Sequence, residues 1–306
     1  MSIKKCLNSL VFLCDVNIEN NTFLWYYTNG VINVKKFEGI MICTDLDGTL
    51  LKNDKSISKE NSEAIEYFKN NGGLFTFVTG RMPFYSLDSY QKVKPNAPIG
   101  CINGGGIYDF EKGEYLWAEE LDREAVEFLE YVDKAFPHIG IQLTTFNKAY
   151  FCKDNEAMVW FRKVTGLKKI TANYNEIHEP LAKIIFAHDE TDEILKLAEG
   201  LKHHPKADKY QFVRSEKRLY EIVPKGITKG TVIPKFSELF GIDTKKIVAV
   251  GDYDNDVGML KEAGVGIAVS NACESAKKAA DIVTVSNEEH AIAKIIHDIE
   301  SGNIKL

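Results

Sequence analysis

The stretch that decides the fold is IMICTDLDGTLL at residues 40–51, an apolar run that ends in two carboxylates, a glycine and a threonine. The run is short, carries β-branched residues and is closed by Gly48, which favours a central strand of a parallel sheet over a helix. Ligands and catalytic groups gather at the carboxyl ends of such strands. The stretch therefore predicts a buried strand that delivers Asp45 to an active site.

Asp45 and Asp47 stand two residues apart, so a strand would place both carboxylates on the same side and turn Leu46 toward the core. Like charges this close repel unless a cation or a shared proton compensates, and carboxylate oxygens suit Mg²⁺. With a cation and a phosphate ester bound, one carboxylate can attack phosphorus to give an aspartyl-phosphate while the other protonates the leaving oxygen. By itself the stretch also fits a strand that is followed by an acidic turn.

Residues after other strand-like runs are candidates for contact with a phosphoryl group. Gly48 offers a closely approaching backbone N–H, the Thr79 hydroxyl can donate to a phosphoryl oxygen, and Gly80 permits close approach. Asn103, before a run of three glycines, is predicted to contact the substrate at the rim. Lys229 can place its ammonium between phosphate and carboxylate. The plainer readings are a helix N-cap, a bend and a lysine that faces water.

A second acidic stretch, GDYDNDVGML at residues 251–260, also follows an apolar strand-like run. Asp252 and Asp256 are spaced i, i+4, so both side chains can face one point where the chain enters a helix. Together with Asp45 and Asp47 they form a predicted magnesium site built from distant segments of the chain.

Composition places the 306-residue chain among ordinary globular proteins, with 44% hydrophobic and 27% charged residues. No apolar run approaches the roughly 20 residues that span a bilayer, so an integral membrane protein is not expected. The net charge of -6 does not indicate the excess of positive charge that is typical of proteins that bind nucleic acid. An anionic substrate must therefore be held by a local cluster of cation, lysine and N–H groups.

The six cysteines are scattered without a C-x-x-C pair, which favours free thiols in a reducing cytoplasm. We therefore expect a cytoplasmic protein. The cysteines are Cys6, Cys14, Cys43, Cys101, Cys152 and Cys273.

The chain divides into three expected parts. Residues 1–38 are an extension of unknown role: their order is that of a signal peptide, but the apolar part is interrupted and lacks a cleavage site. An over-long gene start would instead make the first 33 residues dispensable. Residues 58–69 begin with a capping serine and carry one apolar face, which predicts a helix, and residues 98–102 predict a short strand. From about Leu121, amphipathic helices alternate with strands that have no acid-tipped ends. Residues 119–223 are therefore predicted to be an α+β cap inserted into an α/β core of residues 39–118 and 224–306.

Four motifs in this order resemble those of the haloacid dehalogenase superfamily: DLDGT at 45–49, TGR at 79–81, KG at 229–230 and GDYDND at 251–256. The large insert between the second and third is similar to that of Cof-type, subclass IIB phosphatases. The resemblance covers about residues 36–306. It implies a doubly wound, Rossmann-like parallel sheet with an α+β cap, dependence on Mg²⁺, and hydrolysis of small phosphorylated metabolites such as sugar phosphates, nucleotides, and flavin or pyridoxal phosphates.

The resemblance also implies a role for each matching residue. Asp45 corresponds to the nucleophile, and Asp47 to the general acid and base, whose backbone carbonyl also helps to bind the cation. The remaining positions are Thr79 and Lys229 as stabilisers of phosphate and intermediate, Asp252 as magnesium ligand, Asp256 as its support, Asn255 as a phosphate-side contact, and Asn103, Gly104 and Gly105 near the substrate.

Two alternatives remain open from the sequence. A phosphomutase or phosphotransferase of the phosphomannomutase type uses the same acids but needs a second phosphate site in the cap. A non-catalytic protein that binds phosphorylated metabolites would have no need of a nucleophile. The sequence gives no indication of the oligomeric state.

Overall fold

The computed structural model describes residues 35–306. The expected N-terminal extension, residues 1–38, therefore lies almost entirely outside the described residues. The same holds for the prediction that the first 33 residues are dispensable.

The described chain alternates strands with helices over most of its length. In chain order the strands are β1 (Met41–Thr44), β2 (Leu74–Phe77), β3 (Ile99–Cys101), β4 (Gly106–Asp109), β5 (Glu114–Ala118), β6 (Gly140–Thr145), β7 (Ala149–Lys153), β8 (Leu181–Ala187), β9 (Tyr210–Glu216), β10 (Leu219–Pro224), β11 (Ile247–Gly251), β12 (Val265–Ala268) and β13 (Ile282–Val283). The α-helices are α1 (Lys59–Asn70), α2 (Leu87–Val93), α3 (Glu127–Ala135), α4 (Glu156–Thr165), α5 (Thr191–Lys202), α6 (Val232–Phe240), α7 (Val257–Glu262), α8 (Glu274–Ala279) and α9 (Ala291–Glu300).

The first sheet is parallel and has the strand order β13-β12-β11-β1-β2. Strand β1 is buried along its whole length between β11 and β2, so the predicted central strand is confirmed. The next strand in the chain lies on one side of β1 and a strand about 200 residues later lies on the other. This is the topological switch point, where the carboxyl ends of parallel strands open a crevice for ligands.

Helices that connect the parallel strands cover this sheet and build the first hydrophobic core. Helix α1 begins as predicted at Ser58, whose Oγ accepts a hydrogen bond from the Asn61 N–H at 3.2 Å. Its buried face carries Ile65 and Phe68, and it packs against α9. Complete burial of such side chains stabilises the fold by about 1.5–3 kcal/mol each. The α1 N-cap and apolar face therefore cooperate in forming the core that holds β1.

The second sheet is antiparallel, with the order β7-β6-β8-β10-β9. Its own hydrophobic core includes Phe128 and Leu129 of α3 and Ile194 and Leu197 of α5. Strand β10, nearly all of which lies within the residues predicted to form the cap, pairs with β8 and β9. All six of its residues are buried, the charged Glu221 included.

A small antiparallel sheet, β3-β4-β5, follows β2 in the chain and precedes the second sheet. The strand expected at residues 98–102 is confirmed as β3, but its main partner is the antiparallel β4. A single parallel bridge between Val78 and Gly100 joins β3 to the end of β2. The division of the chain into core and inserted cap remains our proposal.

Two further expectations concern the chain as a whole. Within residues 35–306, every helix is too short or too polar to cross a bilayer. Cys43 and Cys101 are buried free thiols, as the sequence predicted.

Candidate active site

Asp45 lies at the carboxyl end of β1, where its N–H continues the pairing with β11 by donating to the Val250 carbonyl at 2.8 Å. Its Oδ1 accepts a hydrogen bond from Lys229 Nζ at 2.5 Å. Lys229 is 1% exposed and begins a short 3-10 turn that is capped by Thr228 and Thr231. The hydrogen bonds of the two threonines fix the backbone of this turn, so the Lys229 ammonium is held against Asp45.

Asp256 is completely buried and organises the site through both of its oxygens. Oδ1 accepts from Lys229 Nζ at 2.6 Å, and Oδ2 accepts from the N–H groups of Asp252 and Tyr253 at 2.9 and 3.0 Å. Asp256 therefore fixes the acidic turn after β11 and the lysine at the same time.

Asp252 completes what we call the Lys229 cluster: Asp45, Lys229, Asp252 and Asp256. Its Oδ1 accepts from Thr49 Oγ1 at 2.7 Å. Gly48 lies directly beneath it with φ +83°, and a Cβ at this position would come within 2.6 Å of Asp252 Oδ2. A side chain at residue 48 would therefore displace the carboxylate, which explains the glycine of the first motif.

The three carboxylates of the Lys229 cluster share one ammonium, and their pKa values reflect this. Burial, together with the charges of Asp256 and Asp47, raises the pKa of Asp45 to about 7, although Lys229 opposes the shift. Burial and the charges of Asp256 and Asp45 raise the pKa of Asp252 to about 8. Burial lowers the pKa of Lys229, but Asp256 and Asp45 outweigh it, so the net shift is upward. A bound cation would offset this repulsion and favour the ionised form of the carboxylates.

The donor set of the cluster fits a hard divalent cation. Single oxygens of Asp45, Asp252 and Asp256 all lie within 4.8 Å of one another. Asp256 commits both of its oxygens to hydrogen bonds, whereas Asp45 and Asp252 each commit one. Mg²⁺ prefers oxygen ligands. Asp45 and Asp252 each keep one uncommitted carboxylate oxygen, so they are better candidates for ligands than Asp256.

Asp47 lies outside this converging group in the described part of the chain. Its Oδ1 accepts from Lys55 Nζ at 2.8 Å and its Oδ2 from Arg81 Nη2 at 2.7 Å. Strand periodicity predicted that Asp45 and Asp47 lie on one side, and both line the same cavity, although β1 itself ends at Thr44. Burial raises the pKa of Asp47, but Arg81 and Lys55 outweigh it and hold the pKa below its usual range.

The predicted phosphate contacts fall into two groups. Thr79, Gly80 and Asn255 line the cavity above the cluster. Asn103 is completely buried in a left-handed conformation, and its Oδ1 accepts from Asn255 Nδ2 at 3.0 Å. Gly104 has φ +93°, and a Cβ there would lie 1.8 Å from the Thr228 carbonyl oxygen. Asn103 therefore reaches the cavity through Asn255, and its predicted contact with substrate stays a proposal.

Lys183 and Glu221, which the sequence reasoning missed, form a buried ion pair that we call the Lys183 pair. Lys183 Nζ donates to Glu221 Oε2 and to the Gly80 carbonyl, each at 2.7 Å. Glu221 Oε2 also accepts from Asn103 Nδ2 at 3.0 Å. The pair therefore joins the second sheet to the turns that carry Thr79 and Asn103. The sequence signal was a charged residue inside each of two apolar strands, since such charges are rarely buried unpaired.

A cavity of about 570 Å³ opens above the Lys229 cluster. Its floor includes Asp45 and Asp252, and residues of α4 and of the hairpin β9–β10 line the opposite side, among them Trp160 and Leu219. Helix α4 and the hairpin β9–β10 of the second sheet therefore cover Asp45 and Asp252 and enclose the cavity with them.

Two arginines, one in α4 and one in the hairpin β9–β10, are already paired with carboxylates. Arg162 makes a bidentate contact with Asp154 at 2.7 and 3.0 Å. Arg218 pairs with Asp189 at 3.2 Å. Neither pairing supports the second phosphate site that a phosphomutase needs.

Comparison with known proteins agrees with this geometry. A family model described as haloacid dehalogenase-like hydrolase matches residues 42–296. A 5-amino-6-(5-phospho-D-ribitylamino)uracil phosphatase of Bacillus subtilis is 31% identical over 287 residues, which cover 85% of this chain and 98% of that protein. A pyridoxal phosphate phosphatase of Escherichia coli is 27% identical over 272 residues, which cover 84% of this chain and 97% of that protein.

Solved structures show the same fold. The crystal structure of a haloacid dehalogenase-like hydrolase from Bacteroides thetaiotaomicron superposes with a TM-score of 0.73 at 27% identity. The similarity covers 85% of this chain and 99% of that chain.

Proposed function

Because the chain belongs to the haloacid dehalogenase-like hydrolases and is a phosphatase of their Cof type, we propose that it hydrolyses phosphate monoesters of small metabolites through an aspartyl-phosphate on Asp45, with Mg²⁺ as cofactor. One observation carries the proposal: Asp45 lies at the end of the central strand, hydrogen-bonded to buried Lys229, on the floor of a cavity. The named substrates of the two relatives, a ribitylaminouracil phosphate and pyridoxal phosphate, support this substrate class.

In the first step, an Asp45 oxygen forms a bond to phosphorus and the ester bond to the leaving oxygen breaks. The leaving oxygen takes its proton from Asp47. Lys229 holds Asp45 through Oδ1 at 2.5 Å and offsets its charge, so the carboxylate keeps one orientation. Thr79 and Asn255 line the same cavity, where their hydroxyl and amide groups donate to the phosphoryl oxygens.

In the second step, water attacks the phosphorus of the aspartyl-phosphate and gives its proton to Asp47. Phosphate leaves and the Asp45 carboxylate is restored, so Asp47 acts first as acid and then as base. Arg81 and Lys55 hold Asp47 ionised in the structure. Arg81 and Lys55 also line the cavity, so an anionic substrate competes with Asp47 for these two cations. This competition raises the pKa of Asp47, so that its carboxyl group can carry the proton that it donates.

The Mg²⁺ site of the proposal uses the side chains of Asp45 and Asp252, with Asp256 holding the turn that carries Asp252. When bound, the ion supplies charge that neutralises the phosphoryl oxygens and the clustered carboxylates. The Asp47 backbone carbonyl is a further candidate ligand. The cluster of three acids with one lysine is what supports this choice of cofactor.

The test is phosphate release from a panel of sugar phosphates, nucleotides, flavin mononucleotide and pyridoxal phosphate, measured with Mg²⁺ and with a chelator. The Asp45→Asn variant is measured alongside. We expect release that requires both Mg²⁺ and Asp45. A folded protein that releases phosphate from no ester, or releases it equally with chelator, would contradict the proposal.

A further inference from the structure

Helix α4 turns an apolar side toward the cavity. Trp160 and Val164 are spaced i, i+4 and both line it, beside Phe161 and, from β10, Leu219. We call these four residues the α4 wall. Val164 is 48% exposed, although it is apolar and lies in a cavity that faces catalytic carboxylates. An apolar surface left open at this place is available to a substrate.

The start of α4 is pinned to the second sheet. Asn155 Oδ1 accepts from the Met158 N–H at 2.9 Å and caps the helix. Asn155 Nδ2 donates to the Ala187 and His138 carbonyls at 2.8 and 3.0 Å. Met158 and Phe161 pack in one buried cluster with Phe151 of β7. The α4 wall is therefore a rigid surface.

The indole of Trp160 is also held in place. The Arg218 guanidinium lies over its ring at 4.9 Å and is itself anchored by Asp189 at 3.2 Å. A cation stacked on an aromatic ring restricts the rotation of that ring. The indole therefore meets the cavity as a pre-oriented flat surface, which lowers the entropic cost of stacking a second ring against it.

Three polar side chains near the α4 wall, Ser215, Glu216 and Glu221, are committed to the protein, and Lys217 lines the cavity beside them. The Ser215 hydroxyl donates to Glu221 Oε1, and Glu221 Oε2 is shared by Lys183 and Asn103. Glu216 Oε2 accepts from the Arg218 N–H at 2.8 Å. A sugar hydroxyl buried against Ser215, Glu216 and Glu221 would therefore lose water without gaining equivalent hydrogen bonds, which is unfavourable.

We propose that the α4 wall is a subsite for a flat aromatic ring of the leaving group, so that the preferred substrates are phosphate esters of aromatic heterocycles rather than of sugars. The inference rests on the proposed phosphatase function and deepens it. The volume of about 570 Å³ lies within the roughly 300–1,000 Å³ typical of sites that enclose a whole small molecule. The cavity thus accommodates a ring together with the phosphoryl group.

The experiment compares two ring-bearing esters, pyridoxal phosphate and flavin mononucleotide, with glucose 6-phosphate and ribose 5-phosphate. We expect wild-type kcat/KM to be higher for the ring-bearing esters by on the order of tenfold, the range that a stacked ring contributes. Trp160→Ala should remove this advantage and leave the values for the sugar phosphates within about twofold, while Trp160→Phe should keep most of it.

The matched control is Val159→Ala, which removes a 52% exposed apolar side chain from the neighbouring position of α4. Val159 does not line the cavity described above. It should leave kcat/KM for all four esters unchanged. Melting temperatures of all variants show whether a loss of activity reflects unfolding.

Binding measured separately from turnover distinguishes the two proposals. The four esters are titrated calorimetrically into the Asp45→Asn variant with Mg²⁺, and into the same variant carrying Trp160→Ala. Tighter binding of the ring-bearing esters that depends on Trp160 supports the subsite, even without turnover in the wild type. Turnover of all esters without a ring preference, or a preference that survives Trp160→Ala, overturns the subsite and leaves the phosphatase intact. Neither binding nor turnover of any ester overturns both.

Discussion

Lys229 and Lys183 are both 1% exposed and both are neutralised by carboxylates, yet their surroundings differ. Lys229 is shared by Asp45 and Asp256, with Asp252 close by, so its cluster has more negative than positive charge. Lys183 faces Glu221 at 2.7 Å and a backbone carbonyl, so the Lys183 pair is balanced. The Lys229 cluster is unbalanced at the floor of the cavity, whereas the Lys183 pair is balanced on the side of the second sheet, where Glu221 lines the same cavity.

We propose that this difference separates catalysis by the Lys229 cluster from positioning by the Lys183 pair. A buried ion pair gains little net stability, because desolvation consumes much of the attraction between the charges. The Lys183 pair therefore acts mainly by fixing the Gly80 carbonyl and Asn103 beneath the second sheet. The Lys229 cluster keeps unneutralised charge at a place that a substrate and a cation can reach. The following variants test this distinction, beginning with the largest expected effect.

Asp45→Asn removes the proposed nucleophile while keeping the shape of the side chain. We expect phosphate release to fall by roughly 10⁴-fold or more, the scale seen when a catalytic nucleophile is lost. Because one charge leaves a crowded cluster, the melting temperature should stay the same or rise. Steady-state kinetics and thermal unfolding check both points, and a near-wild-type rate would remove Asp45 from the mechanism.

Lys229→Met leaves Asp45 and Asp256 buried without their common cation. We expect kcat to fall by roughly 10²–10³-fold, typical of a lost electrostatic stabiliser, and stability to fall as well. Lys229→Arg is the companion variant, since it keeps the charge but not the compact ammonium geometry. If Lys229→Met kept full activity, the cluster would not be the catalytic region.

Asp252→Asn tests the cation site within the cluster. The amide preserves the size of the side chain but removes a charged ligand, so the Mg²⁺ concentration for half-maximal activity should rise by at least about tenfold, the low end for loss of a supporting metal contact. Asp254→Asn, at the neighbouring exposed acid, is the control. Equal magnesium titrations for the two variants would place the ion elsewhere.

Lys183→Met tests the balanced region and should behave differently from Lys229→Met. It leaves Glu221 buried and unpaired, which costs about 3–5 kcal/mol of unfolding free energy. Adding Glu221→Leu should recover most of this loss, because an apolar pair can replace a buried ion pair. Chemical denaturation measures the stability of both variants. If the double variant regains stability and its kcat lies within about tenfold of wild type, Lys183 has a positioning role. If kcat in the double variant stays as low as in Lys229→Met, Lys183 is catalytic.

Much of the fold was predictable from local signals. The apolar run before Asp45 predicted the central strand, and Ser58 with the apolar face of α1 predicted the helix that follows. The pairing of β10 with β8 and β9 was not predictable, since the sequence of a buried strand does not identify its neighbouring strands.

The candidate site was predictable to the level of which residues converge. Asp45, Lys229, Asp252 and Asp256 were all singled out in the sequence, and the structure brings them together. The hydrogen bonds that each of these residues makes were not predictable. That Asp256 uses both oxygens to hold Lys229 and the turn depends on hydrogen bonds whose geometry only the folded chain defines.

The sequence by itself determined the parallel core, the acid-tipped strand ends and the phosphatase family. These depend on hydrophobic periodicity and on motifs that are each only a few residues long. Only the tertiary structure decided that Asp47 pairs with Arg81, that Lys183 pairs with Glu221, and that α4 lines the cavity. These contacts join residues far apart in the chain. Their partners are selected by how strands and helices cross in space, and no local pattern encodes that crossing.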